Sequence, residues 1–276
     1  KRIKSTVRRH THPHTHTHTP TLSAKMNSKA PCPPVMPDKH GVFERTADGL
    51  TYRILTPELA EQACALEVIG FLDEPVIGHG MREYDLPERQ RVWERFCQQF
   101  SLSCASNGFS VCCCVGQGTE QDPVRVVGCF WLRDFALPPP EDFVQSFDEV
   151  PGMRRMLNVL IETDAQYEEL RPEIGGKLGV CMDMWMGSVH PEFRRRGIYK
   201  QVGCYAIGHL RALKQAGEVS YKYVVSEDTG AYSQAAARSK GMVAVTQSRP
   251  YSEIYPVHMA GLPAIHERLI IHEFQL

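Results

Sequence analysis

Apolar and polar positions alternate in strand-like and helix-like groups from about residue 52 onward. Residues 52–55 form a short apolar run that reads as a strand. Thr56 stands where a helix cap belongs and Pro57 where a first helical residue belongs, so a helix is expected from there to about Gly70. Residues 87–102 read as a second helix. Residues 110–115 and 125–133 are apolar runs separated by turn-forming residues at 116–123, so they are expected to pair as a hairpin. Three prolines at 138–140 open an insertion at 134–151, and a helix is expected over 153–170. A strand over 179–189 leads to a helix over 196–216, which Gly217 closes. Next come a strand at 221–226, a helix at 231–240 ended by Gly241, and strands at 243–248 and 267–274. Helices interleaved with strands imply a mixed α/β sheet rather than a sandwich. No internal repeat is visible.

The first 48 residues read differently. Residues 1–25 consist mainly of Thr, His, Pro and basic residues, with few apolar side chains to offset ordering entropy. His10, His12, His14, His16 and His18 alternate with Thr or Pro, and bind metal adventitiously at most. The chain does not begin with Met, and Met26 is the first one. Residues 1–25 are therefore expected to lie upstream of a natural start or to be a basic leader, and their composition permits a transit peptide. Residues 30–37 read as a Pro-rich linker. The expected organisation is a basic leader and linker at 1–48 and one folded domain at 49–276.

Composition narrows the class. An apolar share of 42% with 23% charged residues suits a soluble globular protein. No apolar run reaches the ~18–20 residues that span a bilayer. The ten cysteines include adjacent Cys112, Cys113 and Cys114, which suit a strand better than disulfides, and a reducing, cytoplasmic setting is expected. No CxxC pair is present, so no structural zinc is expected. Residues 1–37 hold seven Lys or Arg and no acid, leaving 24 basic and 32 acidic residues in the remainder, a formal −8. Such a body repels phosphate backbones and attracts cationic amines, so nucleic acid is not an expected partner.

The chemistry concentrates at 182–200. An apolar strand runs into a short loop holding Arg194, Arg195, Arg196 and Gly197. A helix follows whose Ile198, Val202, Ala206, Leu210 and Leu213 share one face. A strand, a tight loop and a helix N-terminus make an anion cradle: first-turn N–H groups are free and the dipole adds positive charge. Gly197 lets a phosphate approach the backbone. Three arginines at a helix start oppose the dipole unless an anion binds there, so a pyrophosphate is the expected ligand. The loop lacks both GxxxxGK[ST] and GxGxxG; Gly116-Gln117-Gly118 is a turn.

The pattern at 189–198, V-x-P-x-F-R-x-R-G-I, resembles the acetyl-CoA loop of the GNAT superfamily of N-acetyltransferases. Arg194 and Gly197 fill the first two places of that family's [QR]-x-x-G-x-[GA], and Tyr199 stands where a small residue is usual. The resemblance implies a mostly antiparallel sheet flanked by helices, with two central strands splayed around the pantetheine arm. Gly187, Ser188, Val189, Arg194, Arg195, Arg196, Gly197, Ile198 and Tyr199 are then the expected cofactor-binding residues. Gly187 is expected to allow a bulge that frees backbone N–H groups for the thioester oxygen. The tyrosine many members use as general acid would fall near Ala237 and is absent.

Within that superfamily, Phe71-Leu72-Asp73-Glu74-Pro75-Val76 and Tyr232-Ser233 resemble the insect-type arylalkylamine N-acetyltransferases. The resemblance implies Glu74 as general base, with Ser233 and Ser226 near the leaving sulfur. The chemistry makes the same demand, since an alkylamine must lose a proton before it attacks. No covalent intermediate is required, and Cys181 and Cys204 sit in apolar stretches that suit buried thiols. The expected acceptor is a small primary amine, with the insertion at 134–151 as a roof and Trp93, Phe96, Phe135 and Phe143 as aromatic candidates. Two alternatives stay open: a protein or peptide N-acetyltransferase, and a catalytically inactive acyl-CoA-binding module.

Overall fold

The computed structural model describes residues 31–140 and 151–276. The readings of the leader, its histidine tract, Phe143 and most of the insertion lie outside the described residues. Among the described residues, strands β1 (Val42–Arg45), β2 (Thr51–Ile54), β3 (Val111–Val115), β4 (Arg125–Asp134), β5 (Cys181–Val189), β6 (Tyr223–Asp228), β7 (Val243–Gln247) and β8 (Ile270–Gln275) form one sheet. Its order is β1-β2-β3-β4-β5-β6-β8-β7. Neighbours are antiparallel except β5 and β6. Parallel neighbours need a crossover, here α5 (Ile198–Ala216). The other helices are α1 (Ala60–Leu72), α2 (Pro75–Gly80), α3 (Leu86–Ser106), α4 (Pro151–Leu170), α6 (Ala231–Ser239) and the short α7 (Tyr251–Ile254). The architecture is the expected mixed, mostly antiparallel sheet flanked by helices.

Strand alternation explains the packing. Cys112 and Cys114 of β3 join Trp131 against α1 and α3, whereas Cys113 joins Phe130 and Leu132 against α5. Ile198, Val202, Ala206, Leu210 and Leu213 of α5 are all buried, as their spacing requires. Burying each such large aliphatic side chain stabilises the fold by about 1.5–3 kcal/mol. Beneath α4, Met156, Val159 and Tyr167 meet Val225 and Ile271. None of the described helices is long and apolar enough to cross a membrane.

Four readings need correction. The expected start of the domain at Gly49 is too late, because Val42 of β1 already pairs with Arg53 of β2. Residues 31–37 do not behave as a linker. Val35 N donates to Gly208 O at 3.1 Å, Cys32 is fully buried, and a Cβ on Gly208 would meet Pro33 O at 2.4 Å. The glycine lets this proline segment lie flat on α5. Thr56 is extended but its side chain makes no cap bond, and the chain enters α1 through a 3-10 turn at Pro57–Leu59. The fourth correction concerns Gly187. On β4 and β5, Trp131 pairs with Met186 and Arg133 with Asp183. Three steps on β5 oppose two on β4, so the bulge lies at Met184 and Trp185. Gly187 stays in the ladder opposite Phe130, whose ring would stand 2.4 Å from an added Cβ. Close approach of that ring, not a bulge, requires the glycine.

The feature that positions the site is a parting of strands. β5 and β6 pair only through Cys181, Met182 and Asp183 with Tyr223, Val224 and Val225. Beyond that point β5 stays with β4 as far as Val189, and β6 stays with β8 as far as Asp228.

Candidate active site

A cavity of about 750 Å3 occupies the opening between β5 and β6. One wall is Gly187, Ser188 and Val189 of β5, then Arg194, Arg195, Gly197, Ile198 and Tyr199. The connecting loop is tightly curled. Arg195 and Gly197 both take left-handed backbone, with φ of 63° and 77°. A non-glycine residue held there costs about 1 kcal/mol, so the surrounding contacts impose the curl. No side chain caps the N-terminus of α5. Its first-turn N–H groups are thus left for an external acceptor, and the space where a Gly197 Cβ would stand is open.

The three arginines divide. Arg194 donates through Nε to Val189 O at 3.2 Å and pairs with Asp73 at 3.1 Å. Arg195 lines the cavity. Arg196 pairs with Asp48 at 2.5 Å and lies over the Phe193 ring; it is not among the residues lining the cavity. Tyr199 packs its ring on Phe130, with centroids 4.5 Å apart. Ser188 Oγ donates to Glu67 at 2.6 Å.

The opposite wall comes from distant segments. Glu74 caps α2: one oxygen accepts from Ile77 N at 2.7 Å and the other from Thr229 Oγ1 at 3.3 Å. Burial raises the Glu74 pKa, and the Ile77 and Thr229 donors oppose the rise. A Cβ on Gly230 would stand 2.9 Å from Glu74 Oε1 and 2.8 Å from His266 Nδ1, so this glycine lets both side chains close on the start of α6. His266 Nδ1 accepts from Ala231 N at 3.2 Å, and burial lowers its pKa. Ser226 Oγ donates to Asp228 at 3.1 Å. Ser233 Oγ donates to Gly230 O at 3.0 Å. Behind Ser226, Asp228 and His272 form a buried pair at 2.7 Å.

Every expected site residue except Arg196 lines this one cavity. Trp93 and Phe96 line it too, while Phe135 packs edge-on against Tyr167 instead. The sequence reading missed Glu67, Asp228, His266, His272 and Lys240. Glu67 is a fully buried carboxyl on α1, lifted by burial to about 7 against donors from Cys129 and Ser188. Lys240 is fully buried, with Nζ 4.9 Å and 5.1 Å from the ring centroids of Phe130 and Tyr199. The one available signal was Glu67, the single charged residue in the apolar run 63–72; Lys240 follows Arg238 and Ser239, and the others stand in unremarkable contexts. Among the described residues, no group of three His, Cys, Asp or Glu is placed to hold a metal ion.

No family model matches the chain, and no curated protein sequence matches it. Solved structures do. A mosquito arylalkylamine N-acetyltransferase like 5b superposes with a TM-score of 0.57 at 14% identity, covering 83% of this chain and 100% of that one. Arylalkylamine N-acetyltransferase 2 from Aedes aegypti gives 0.55 at 15% identity, over 82% of this chain and 98% of that one. The Drosophila melanogaster polyamine N-acetyltransferase, described as forming N-acetylagmatine, gives 0.53 at 14% identity over 82% and 100%. The chain therefore has the GNAT-type fold of the insect arylalkylamine N-acetyltransferases.

Proposed function

We propose that this protein transfers an acetyl group from acetyl-CoA to a small primary amine by direct attack on the thioester. One observation carries the reading. The parted strands set a half-buried carboxylate, Glu74, in the same cavity as the uncapped N-terminus of α5. The solved structures of the same fold, several of them described as arylalkylamine or polyamine acetyltransferases, support it.

In this reading the pyrophosphate of CoA sits on the first-turn N–H groups of α5, with Arg194 and Arg195 supplying charge. Gly187, Ser188 and Val189 border the arm that carries the thioester. Glu74 takes the proton from the amine, and its raised pKa makes it a stronger base than an exposed carboxylate. The amine nitrogen adds to the thioester carbon, and backbone N–H groups along the parted stretch of β5 hold the oxyanion. Ser226 and Ser233 stand on the wall the sulfur leaves past. Phe71, Trp93 and Phe96 give the cavity an apolar floor, which fits the carbon skeleton of a small amine.

The test is release of CoA thiol from acetyl-CoA by the purified chain with aromatic amines, polyamines and amino acids. Turnover with at least one small amine is expected. Acetyl-CoA binding with no turnover on any amine would leave an acyl-CoA-binding module instead. Turnover only on peptide N-termini would move the acceptor to proteins.

A further inference from the structure

Away from the cavity, a pair of sulfurs joins the first described residues to the rest of the fold. Cys32 Sγ stands 2.9 Å from Cys204 Sγ of α5, 172 positions later in the chain. The backbone around Cys32 is held on several sides. Arg211 of α5 donates to Cys32 O, and Val35 N donates to Gly208 O at 3.1 Å. A Cβ on Gly241, just past α6, would meet Pro31 Cγ at 2.2 Å. Cys32 Sγ itself lies 3.4 Å from Lys240 O. The segment is thus wedged between α5 and the end of α6, with its thiol against Cys204. A disulfide needs about 2.05 Å between sulfurs, so closing the bond requires a shift of roughly 0.9 Å.

The ten cysteines differ in access. Nine are buried, and Cys204 alone is partly exposed. Cys112 and Cys114 stand 3.7 Å apart, but both are sealed within β3. Cys204 therefore meets a dissolved oxidant first. Donation from Cys32 lowers the Cys204 pKa, Lys240 and Lys200 add to the effect, and burial opposes it. A lower pKa enlarges the thiolate fraction, which is the form that attacks.

We propose that Cys32 and Cys204 are a reversible redox pair, which a hydroperoxide converts to a disulfide that fastens residues 31–35 to α5. The Cys204 thiolate attacks the peroxide, the O–O bond breaks, and an alcohol or water leaves. The Cys204 sulfenic acid that results is then attacked by Cys32 sulfur. The S–O bond breaks and the hydroxyl leaves as water with the Cys32 proton. Two thiols lose two electrons in all, and the peroxide takes them. A dithiol reverses the step by exchange. The proposal is independent of the acetyl-transfer reading, since neither cysteine lines the cavity.

The test treats the purified full chain with hydrogen peroxide, digests it with trypsin without reduction, and maps the peptides by mass. A linked pair, residues 30–39 with residues 201–211, is expected, and dithiothreitol should separate it. Closing so long a loop should raise Tm by about 5–10 °C over the reduced chain. Cys204→Ser should lose both the link and the shift. Cys32→Ser should instead leave a sulfenic acid on Cys204, trapped by dimedone. A folded wild-type chain that yields no such linked peptide, or in which Cys204 proceeds to sulfinic acid, overturns the proposal. A link formed without a rise in Tm overturns the fastening, and a rise that persists in Cys204→Ser assigns it to other cysteines.

Discussion

The two walls of the cavity are built in opposite ways. The β5 wall is one unbroken segment, from the end of the strand through the curled loop into the first turn of α5. What it offers, namely N–H groups, two left-handed residues and neighbouring arginines, is carried by one short stretch of sequence. The facing wall joins Glu74, the cap of α2, to Thr229, 155 positions later, and His266 from a third segment holds the start of α6 beside it. Anion binding needs only a helix start and charge, which a short stretch organises alone. Proton removal needs a carboxylate of raised pKa, and burial that raises it comes only from tertiary structure.

The largest expected effect tests that division. Glu74→Gln keeps an acceptor for Ile77 N, so α2 stays capped, but it cannot take a proton. It is expected to lower kcat about 1000-fold while acetyl-CoA Kd stays within about 2-fold. The base acts when ionised and its pKa is raised. The kcat/KM of the wild type should therefore climb with pH through a limb above the ordinary carboxylate value of about 4.3. The glutamine variant should lack that limb. Equal losses in kcat and in acetyl-CoA affinity would show that the two walls are not separable.

A second comparison lies within α1 and its extension. Glu67 and Glu74 are both glutamates lifted by burial, yet only Glu74 lines the cavity. Glu67 is sealed between Cys129 and Ser188. Its effect should appear in stability rather than turnover. The folded state holds it protonated up to about 7, whereas the unfolded chain ionises it near 4.5. Folding thus takes up a proton between those values. The stabilisation is complete below 4.5, falls by about 3 kcal/mol as pH rises to 7, and is level above. In chemical denaturation across that window, Glu67→Gln should flatten the pH dependence by about that amount. If Glu67→Gln abolished turnover as fully as Glu74→Gln, the distinction between a sealed and a working carboxylate would fail.

How much of this was legible follows from the same physics. The helices were readable because long apolar stripes with Pro at the start and Gly at the end are local signals; α5 and its Gly217 closure are the clearest case. β1 was not, since four residues reading Val-Phe-Glu-Arg show no pattern until β2 pairs with them. α2 was not, since six residues with a proline and two glycines read as a turn until Glu74 caps them. At the site, the loop and Glu74 were legible through motif and spacing. The Asp228 and His272 pair was not: the two residues meet because β6 and β8 are neighbours in the sheet. Gly187 was identified for the wrong reason, because the ring it accommodates belongs to another strand.

The smallest expected effect separates residues that the sequence treats alike. Arg194 and Arg196 are two positions apart in one basic triplet, and spacing alone assigns both to phosphate. The structure turns Arg196 outward to Asp48 and over Phe193, while Arg194 lines the cavity and is steadied by Asp73 and Val189 O. Arg194→Ala is expected to weaken acetyl-CoA binding about 10-fold, the scale of one charge-assisted contact to phosphate. Arg196→Ala should leave affinity within about 2-fold, because an exposed, solvent-screened ion pair contributes little to the fold and nothing to the ligand. Titration calorimetry with CoA reads both directly. Equal losses would mean that the loop binds through its summed charge, and its affinity would then fall steeply with added salt. Unequal losses would mean that the curl at Arg195 and Gly197 sorts a basic triplet into one arginine for the ligand and one for the scaffold.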